Sequence, residues 1–163
     1  MKRLKVLLFF PTQKHSATPS AIKTILTEAG SYPPLSLLHL ATAVRRQGRH
    51  DIMIVDALAG NYGPKEIENA IREHKPDIVG ATLVTDFLKD GYDVLRIAKK
   101  VSPDIITMAG GPQVILYPND TARLKDIDYV FYGEGDEAFP VVLDVIADGK
   151  NPDDLPFIIT REN

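Results

Sequence analysis

The residues of this chain best suited to chemistry are small and hydroxylated rather than charged. Three glycine-bearing stretches, Gly80-Ala-Thr-Leu-Val-Thr85, Ala109-Gly-Gly-Pro-Gln113 and Gly133-Glu-Gly-Asp136, each follow or close a β-branched apolar run. Gly110 and Gly111 remove side chains where a bulky ring system or its tail must approach the backbone. Thr82 and Thr85, three residues apart, offer hydroxyls to a polar group buried beside a sheet. This is the chemistry of holding a ligand, not of making or breaking a bond. Among the four histidines, only His15, in the loop after the first apolar run, is placed to ligate a metal. His39 falls in an apolar helix start, His74 at a helix end, where the carbonyl dipole favours it, and His50 before a strand.

The elements that position these residues follow from apolar period. Compact β-rich runs alternate five times with segments apolar at i, i+3, i+4 and i+7, the pattern of a βα repeat. Strands are expected at Val6–Phe10, Ile52–Val55, Ile78–Val84, Ile105–Ala109 and Tyr129–Tyr132. Between them, Leu37, Leu40, Ala41 and Val44 form one helical stripe closed by Gly48. Ile67, Ala70, Ile71 and His74 form a second, Val94, Ile97, Ala98 and Val101 a third, and Phe139, Val142, Leu143 and Ile146 the last. A short helix is expected near residues 119–124. Right-handed crossovers then give an α/β fold, a five-stranded parallel sheet in a flavodoxin-like, Rossmann-like three-layer sandwich of strand order 2-1-3-4-5. The three glycine stretches fall on the carboxyl edge of that sheet, where open α/β folds bind their ligands.

One connection is long. From Pro11 to Pro33 no helix of the main repeat begins, although Ala21–Glu28 could form a short one. Past Gly149, residues 151–156 read as a linker and Phe157-Ile-Ile-Thr160 as a strand with nothing obvious to pair with. The expected division is therefore a binding domain over 1–149 and a linker over 150–163.

Composition narrows the partners. The chain has 163 residues, 44% hydrophobic and 25% charged, with a net charge of −3. That balance suits one globular domain and disfavours a nucleic-acid groove. No apolar run approaches the roughly 20 residues that span a bilayer, and the start lacks a secretory core, so a cytoplasmic location is the default. Cysteine is absent, so this sequence holds no disulfide, thiolate zinc site or iron–sulfur cluster.

Other occupants of the same topology fit less well. A phosphoacceptor site needs an Asp at the end of strand 3, where Thr82 and Thr85 stand, and an acidic pair after strand 1, where Pro11, Thr12 and Gln13 stand. The spacing Gly133-x-Gly135-x-x-Ala138 matches a dinucleotide loop, but it sits at strand 5, and Glu134, Asp136 and Glu137 would repel a pyrophosphate. A flavin or nucleotide held by the hydroxyl-bearing loop from Pro11 to Ser20 stays open as a reading.

The ordered combination of Pro33-Pro-Leu-Ser-Leu-Leu-His-Leu-Ala41, Gly48, Ile54-Val-Asp56, Pro76-Asp-Ile-Val-Gly80, Ala109-Gly-Gly-Pro112 and Gly133-Glu-Gly135 resembles the cobalamin-binding domain at the N-terminus of many radical S-adenosylmethionine enzymes. The resemblance implies a corrin on the carboxyl edge, with its nucleotide tail threaded between sheet and helix. Thr82, Leu83 and Thr85 would line the tail slot, and Gly110 and Gly111 would let the tail pass. Pro112, Gln113, Gly133, Glu134 and Gly135 would border the corrin, and Pro34 and Leu35 would cap the edge. It further implies a linked radical domain carrying a 4Fe-4S cluster and S-adenosylmethionine, neither held by this chain, in a methyltransferase or cyclase. Cobalamin domains that ligate cobalt from below carry Asp-x-His-x-x-Gly after strand 1. Here the loop reads Gln13-Lys14-His15-Ser16-Ala17-Thr18, without the Asp or the Gly, which implies base-off binding with no histidine ligand.

Overall fold

Strand β1 (Lys5–Phe10) divides its side chains between two apolar layers, as a period of two requires. Val6 and Leu8 enter one core, and Leu7 and Phe9 enter the other. In this computed structural model, which describes residues 2–16, 18–19 and 32–162, the same division runs through the sheet. Strands β2 (Asp51–Asp56), β3 (Ile78–Thr82), β4 (Ile106–Gly110) and β5 (Tyr129–Phe131) lie parallel to β1 in the order β2-β1-β3-β4-β5. Strand β3 is buried at every residue, as a central strand covered on both faces must be.

Helices cover both faces. On one face lie α1 (Leu35–Gln47) and, from the far end of the chain, α6 (Gly135–Ala147). Leu37, Ala41 and Val44 of α1 share a core with Phe139, Val142 and Leu143 of α6. On the other face lie α2 (Pro64–His74) and α3 (Leu88–Val101), through Ile67 and Ile71 and through Val94, Leu95 and Ala98. Two one-turn helices, α4 (Pro112–Leu116) and α5 (Pro118–Ala122), join β4 to β5. Gly48 closes α1 in the left-handed conformation, φ 69°, its N–H donating to the carbonyls of Val44 and Arg45.

The layers and the order of the first five strands are those expected from the sequence, with one addition. Among the described residues the sheet has six strands, not five. Ile158–Ile159 forms β6, which pairs antiparallel with β5 through Val130↔Ile159 and Phe131↔Ile158. The segment read as having no partner therefore finds one at the outer edge, where β5 would otherwise expose its ladder groups. Strand β3 also ends at Thr82 rather than Val84, because the Leu83 N–H turns to the Gly110 carbonyl at 2.7 Å. The short helix suggested for 21–28 lies outside the described residues.

Candidate functional site

The carboxyl ends of β3, β4 and β5 meet the first turns of α1 and α6 around a cavity of about 500 Å3. Its wall on the sheet side is built in rows. Register places Leu8 opposite Gly80, and Gly80 opposite Met108, so these three side-chain positions cross the sheet together and form the deep row. One row nearer the mouth, Thr82 pairs with Gly110, with Phe131 beside them. Leu37 and Leu40 of α1 and Phe139 of α6 close the far side.

Small residues create this space. A Cβ at Gly80 would come within 2.6 Å of the Leu8 Cδ2, so the glycine lets Leu8 lie flat across β3. A Cβ at Gly135 would meet the Leu40 Cδ2 at 2.2 Å, so this glycine lets α1 approach the start of α6. Gly110 differs from both. Its Cβ direction meets nothing nearer than the Phe131 carbonyl at 4.0 Å, in open space.

The loops are tied to one another. The Leu83 carbonyl accepts from the Gln113 N–H at 3.0 Å, which fixes the turn after β4 against the turn after β3. Gly111 makes this possible. Its φ is +100°, and a Cβ there would stand 2.9 Å from the Leu83 oxygen, so backbone approach excludes any side chain. Thr85 donates its hydroxyl to the Gln113 Oε1 at 2.8 Å, a second tie between the same turns.

Of the residues expected at the site, Leu35, Thr82 and Glu134 line the cavity, as do Gly110, Gly111 and Pro112, and Gly133 and Gly135. Pro34, Leu83, Thr85 and Gln113 lie outside its wall. Pro34 precedes α1, and Leu83 is fully buried in the core of the opposite face. Thr85 and Gln113 engage each other. Thr82 is 7% exposed, and its hydroxyl has no hydrogen-bond partner among the described residues. A hydroxyl with no protein partner on a residue that lines a cavity is available to a ligand. The apolar walls Leu8, Met108, Phe131 and Phe139 were not singled out from the sequence. Strand alternation carries the signal for the first three, since each shares a face with Gly80 or Thr82.

The mouth is acidic. Glu134 and Asp136 stand on the rim, where the His39 Nδ1 lies 3.6 Å from the Asp136 Oδ2, and among the described residues no lysine or arginine lines the cavity. Such a rim does not favour a free pyrophosphate, against the dinucleotide spacing at Gly133.

The loop after β1 turns toward α3. Asp90, 6% exposed, accepts from the Thr12 hydroxyl at 3.2 Å and the His15 backbone N–H at 2.9 Å, and its Oδ1 lies 2.8 Å from the His15 Nδ1. The hydroxyls of Ser16 and Thr18 donate to Asp86. The groups a flavin phosphate would use are thus committed to two carboxylates that would repel it. Asp90 lies 75 residues from His15, and nothing in the local sequence announces the pairing. Among the described residues no group of three or more His, Asp or Glu is gathered to hold a bare metal ion, and no helix is long and apolar enough to cross a membrane.

The profile of the B12 binding domain family matches residues 22–143. A protein of Pyrococcus horikoshii named as an uncharacterized methyltransferase is 36% identical over the whole of this chain, which spans 34% of that relative. The anaerobic magnesium-protoporphyrin IX monomethyl ester cyclase of Rubrivivax gelatinosus is 32% identical over 75% of the chain and 22% of its own length. Among solved structures, the cobalamin-dependent S-adenosylmethionine radical enzyme OxsB, with aqua-cobalamin and S-adenosylmethionine bound, superposes with a TM-score of 0.75 at 15% identity. It matches 97% of this chain and 21% of its own. The chain therefore spans about a third or less of the relatives it matches.

Proposed function

The chain belongs to the B12 binding domain family, and from that premise we propose that it holds cobalamin on the carboxyl edge of its sheet, with the nucleotide tail in the cavity beneath Thr82. The single observation that carries this reading is the cavity itself. At about 500 Å3 it falls within the roughly 300–1,000 Å3 of small-molecule pockets, and its inner wall is apolar but for the Thr82 hydroxyl. A planar base with an apolar body fits that donor set. Thr82 would hold the tail, and Gly110 would leave room for it to pass. Pro112, Gly133 and Glu134, at the mouth, would border the ring. Leu8, Met108 and Phe131 would keep water from the tail.

Cobalamin, when bound, supplies cobalt-centred methyl-transfer and redox chemistry, and the protein's part is to bind and orient it. We read the chain as the cofactor domain of a larger radical S-adenosylmethionine methyltransferase or cyclase. The relatives' names and the chain's share of their length support that, and the iron–sulfur cluster and S-adenosylmethionine would then belong to a linked radical domain.

We also read the binding as base-off, with no histidine below cobalt. In support, His15 is not among the residues lining the cavity, and its Nδ1 is engaged by Asp90 on the α3 side of the sheet. A second reading rests on the same pairing. A carboxylate on one ring nitrogen leaves the other free and oriented, which is how metal-bound imidazoles are held, and half of the His15 side chain is exposed. Equilibrium dialysis against hydroxocobalamin tests the cofactor reading: one corrinoid per chain is expected, and no uptake at ligand concentrations near 1 mM, about the weak end of specific binding, would contradict it.

A further inference from the structure

The polar groups of the cavity are unevenly placed. Its deep row, Leu8, Gly80 and Met108, carries no side-chain hydrogen-bonding group other than a thioether, a weak acceptor. Phe131 and Phe139 meet edge to face at 5.7 Å beside it. Thr82 stands one residue pair nearer the mouth, and the remaining polar side chains among the described residues that line the cavity, Ser36, His39, Glu134 and Asp136, are exposed on the rim. A base that enters the cavity therefore passes one hydroxyl and ends among hydrocarbon.

We infer that this cavity selects among corrinoids by the polarity of their lower base, accepting an apolar aromatic base and rejecting a purine. The inference rests on the cobalamin reading above. Adenine carries an exocyclic amine with two donors and several ring-nitrogen acceptors. Seated against Leu8 and Met108, these groups lose their water, and Thr82 can satisfy only one or two of them. A p-cresol base presents only C–H and methyl groups to the same wall, and dimethylbenzimidazole adds a single free ring nitrogen, an acceptor that the one Thr82 hydroxyl can satisfy. Because the corrin is common to all of these ligands, the difference in affinity isolates the slot.

The test is equilibrium binding of three corrinoids to the 163-residue chain: one with a p-cresol lower base, one with an adenine base, and base-free cobinamide. The p-cresol form is expected to bind about tenfold or more tightly than the adenine form, the loss expected from leaving one or more polar groups unpaired. The near-isosteric variant Met108→Gln, which puts an amide into the deep row, is expected to narrow that ratio. Its fold is checked by circular dichroism, and the wild-type ratio stands without it. Equal affinity of the p-cresol and adenine forms would overturn the inference. If cobinamide binds as well as both, the corrin is held but the cavity takes no base, which overturns the inference alone. If none of the three binds, the cobalamin reading fails and the inference with it.

Discussion

Gly110→Val separates a ligand role for the carboxyl edge from a structural one. Gly110 is the last residue of β4, it does not have a positive φ, and its Cβ direction is open to 4.0 Å. A β-branched residue suits a strand, so valine is tolerated by the backbone and its added carbons enter the cavity. Stability is expected to change by no more than about 0.5 kcal/mol. Forcing extra methyl groups into a packed space costs about 1–3 kcal/mol, which at about 1.4 kcal/mol per tenfold weakens cobalamin binding roughly 5- to 150-fold. The assay is a visible-spectrum titration of hydroxocobalamin, paired with thermal melting of both proteins. Gly111→Val is not equivalent: at φ +100° with Leu83 backbone 2.9 Å away, it strains the two turns and lowers the melting temperature as well as affinity. Unchanged affinity in a stably folded Gly110→Val would refute the placement of the tail.

Other perturbations read other parts of the structure. Thr82→Val keeps the shape of the buried side chain and removes its hydroxyl. It should weaken cobalamin by about 1 kcal/mol, roughly fivefold, while leaving base-free cobinamide unaffected, and a loss that is equal for both ligands would place Thr82 elsewhere. Asp90→Ala strips the partner from the Thr12 hydroxyl and from the backbone N–H and ring Nδ1 of His15 and should lower the urea midpoint by the equivalent of about 1–3 kcal/mol. Asp77 offers a pH test. Burial raises its pKa, but the Lys2 ammonium and the Lys5 N–H outweigh it and hold the carboxyl below its ordinary value. Its folded pKa being depressed, its stabilisation is complete above the unfolded carboxylate pKa of about 3.9 and is lost as pH falls through the lower folded value. Urea midpoints measured across that acid range should fall more steeply for wild type than for Asp77→Asn, and parallel curves would remove Asp77 from the account.

Much of this architecture is legible in the chain because strand and helix periods are clean. The five parallel strands and the loops at their carboxyl ends, with Thr82 and Gly110 among them, follow from apolar spacing, and the strand order follows from right-handed crossovers in the flavodoxin-like pattern. The rest depends on contacts that no local pattern carries. The strand at Phe157–Thr160 is legible, but its partner is not until β5 is seen as an edge. Leu83 follows Thr82 by one position, so alternation sends it to the opposite core, and the run of hydroxyls around it hides that consequence. Gly111 and Gly110 look alike in sequence, yet one admits a backbone contact and the other opens a cavity. The Asp90 partner of His15 comes from a helix on the far side of β3 in sequence, and only the folded loop brings them together.

The measurement that bears most directly on the account is the cobalt EPR spectrum of corrinoid retained by the chain. Hydroxocobalamin is mixed with the protein, free ligand is removed by gel filtration, and the complex is reduced to cob(II)alamin. The account predicts retained corrinoid with a base-off signal lacking nitrogen hyperfine splitting. A protein that elutes colourless would contradict cobalamin binding itself. A nitrogen-split signal that disappears in His15→Ala would contradict the histidine-free mode and install the Asp90-oriented His15 beneath cobalt, and one that persists would contradict insertion of the tail.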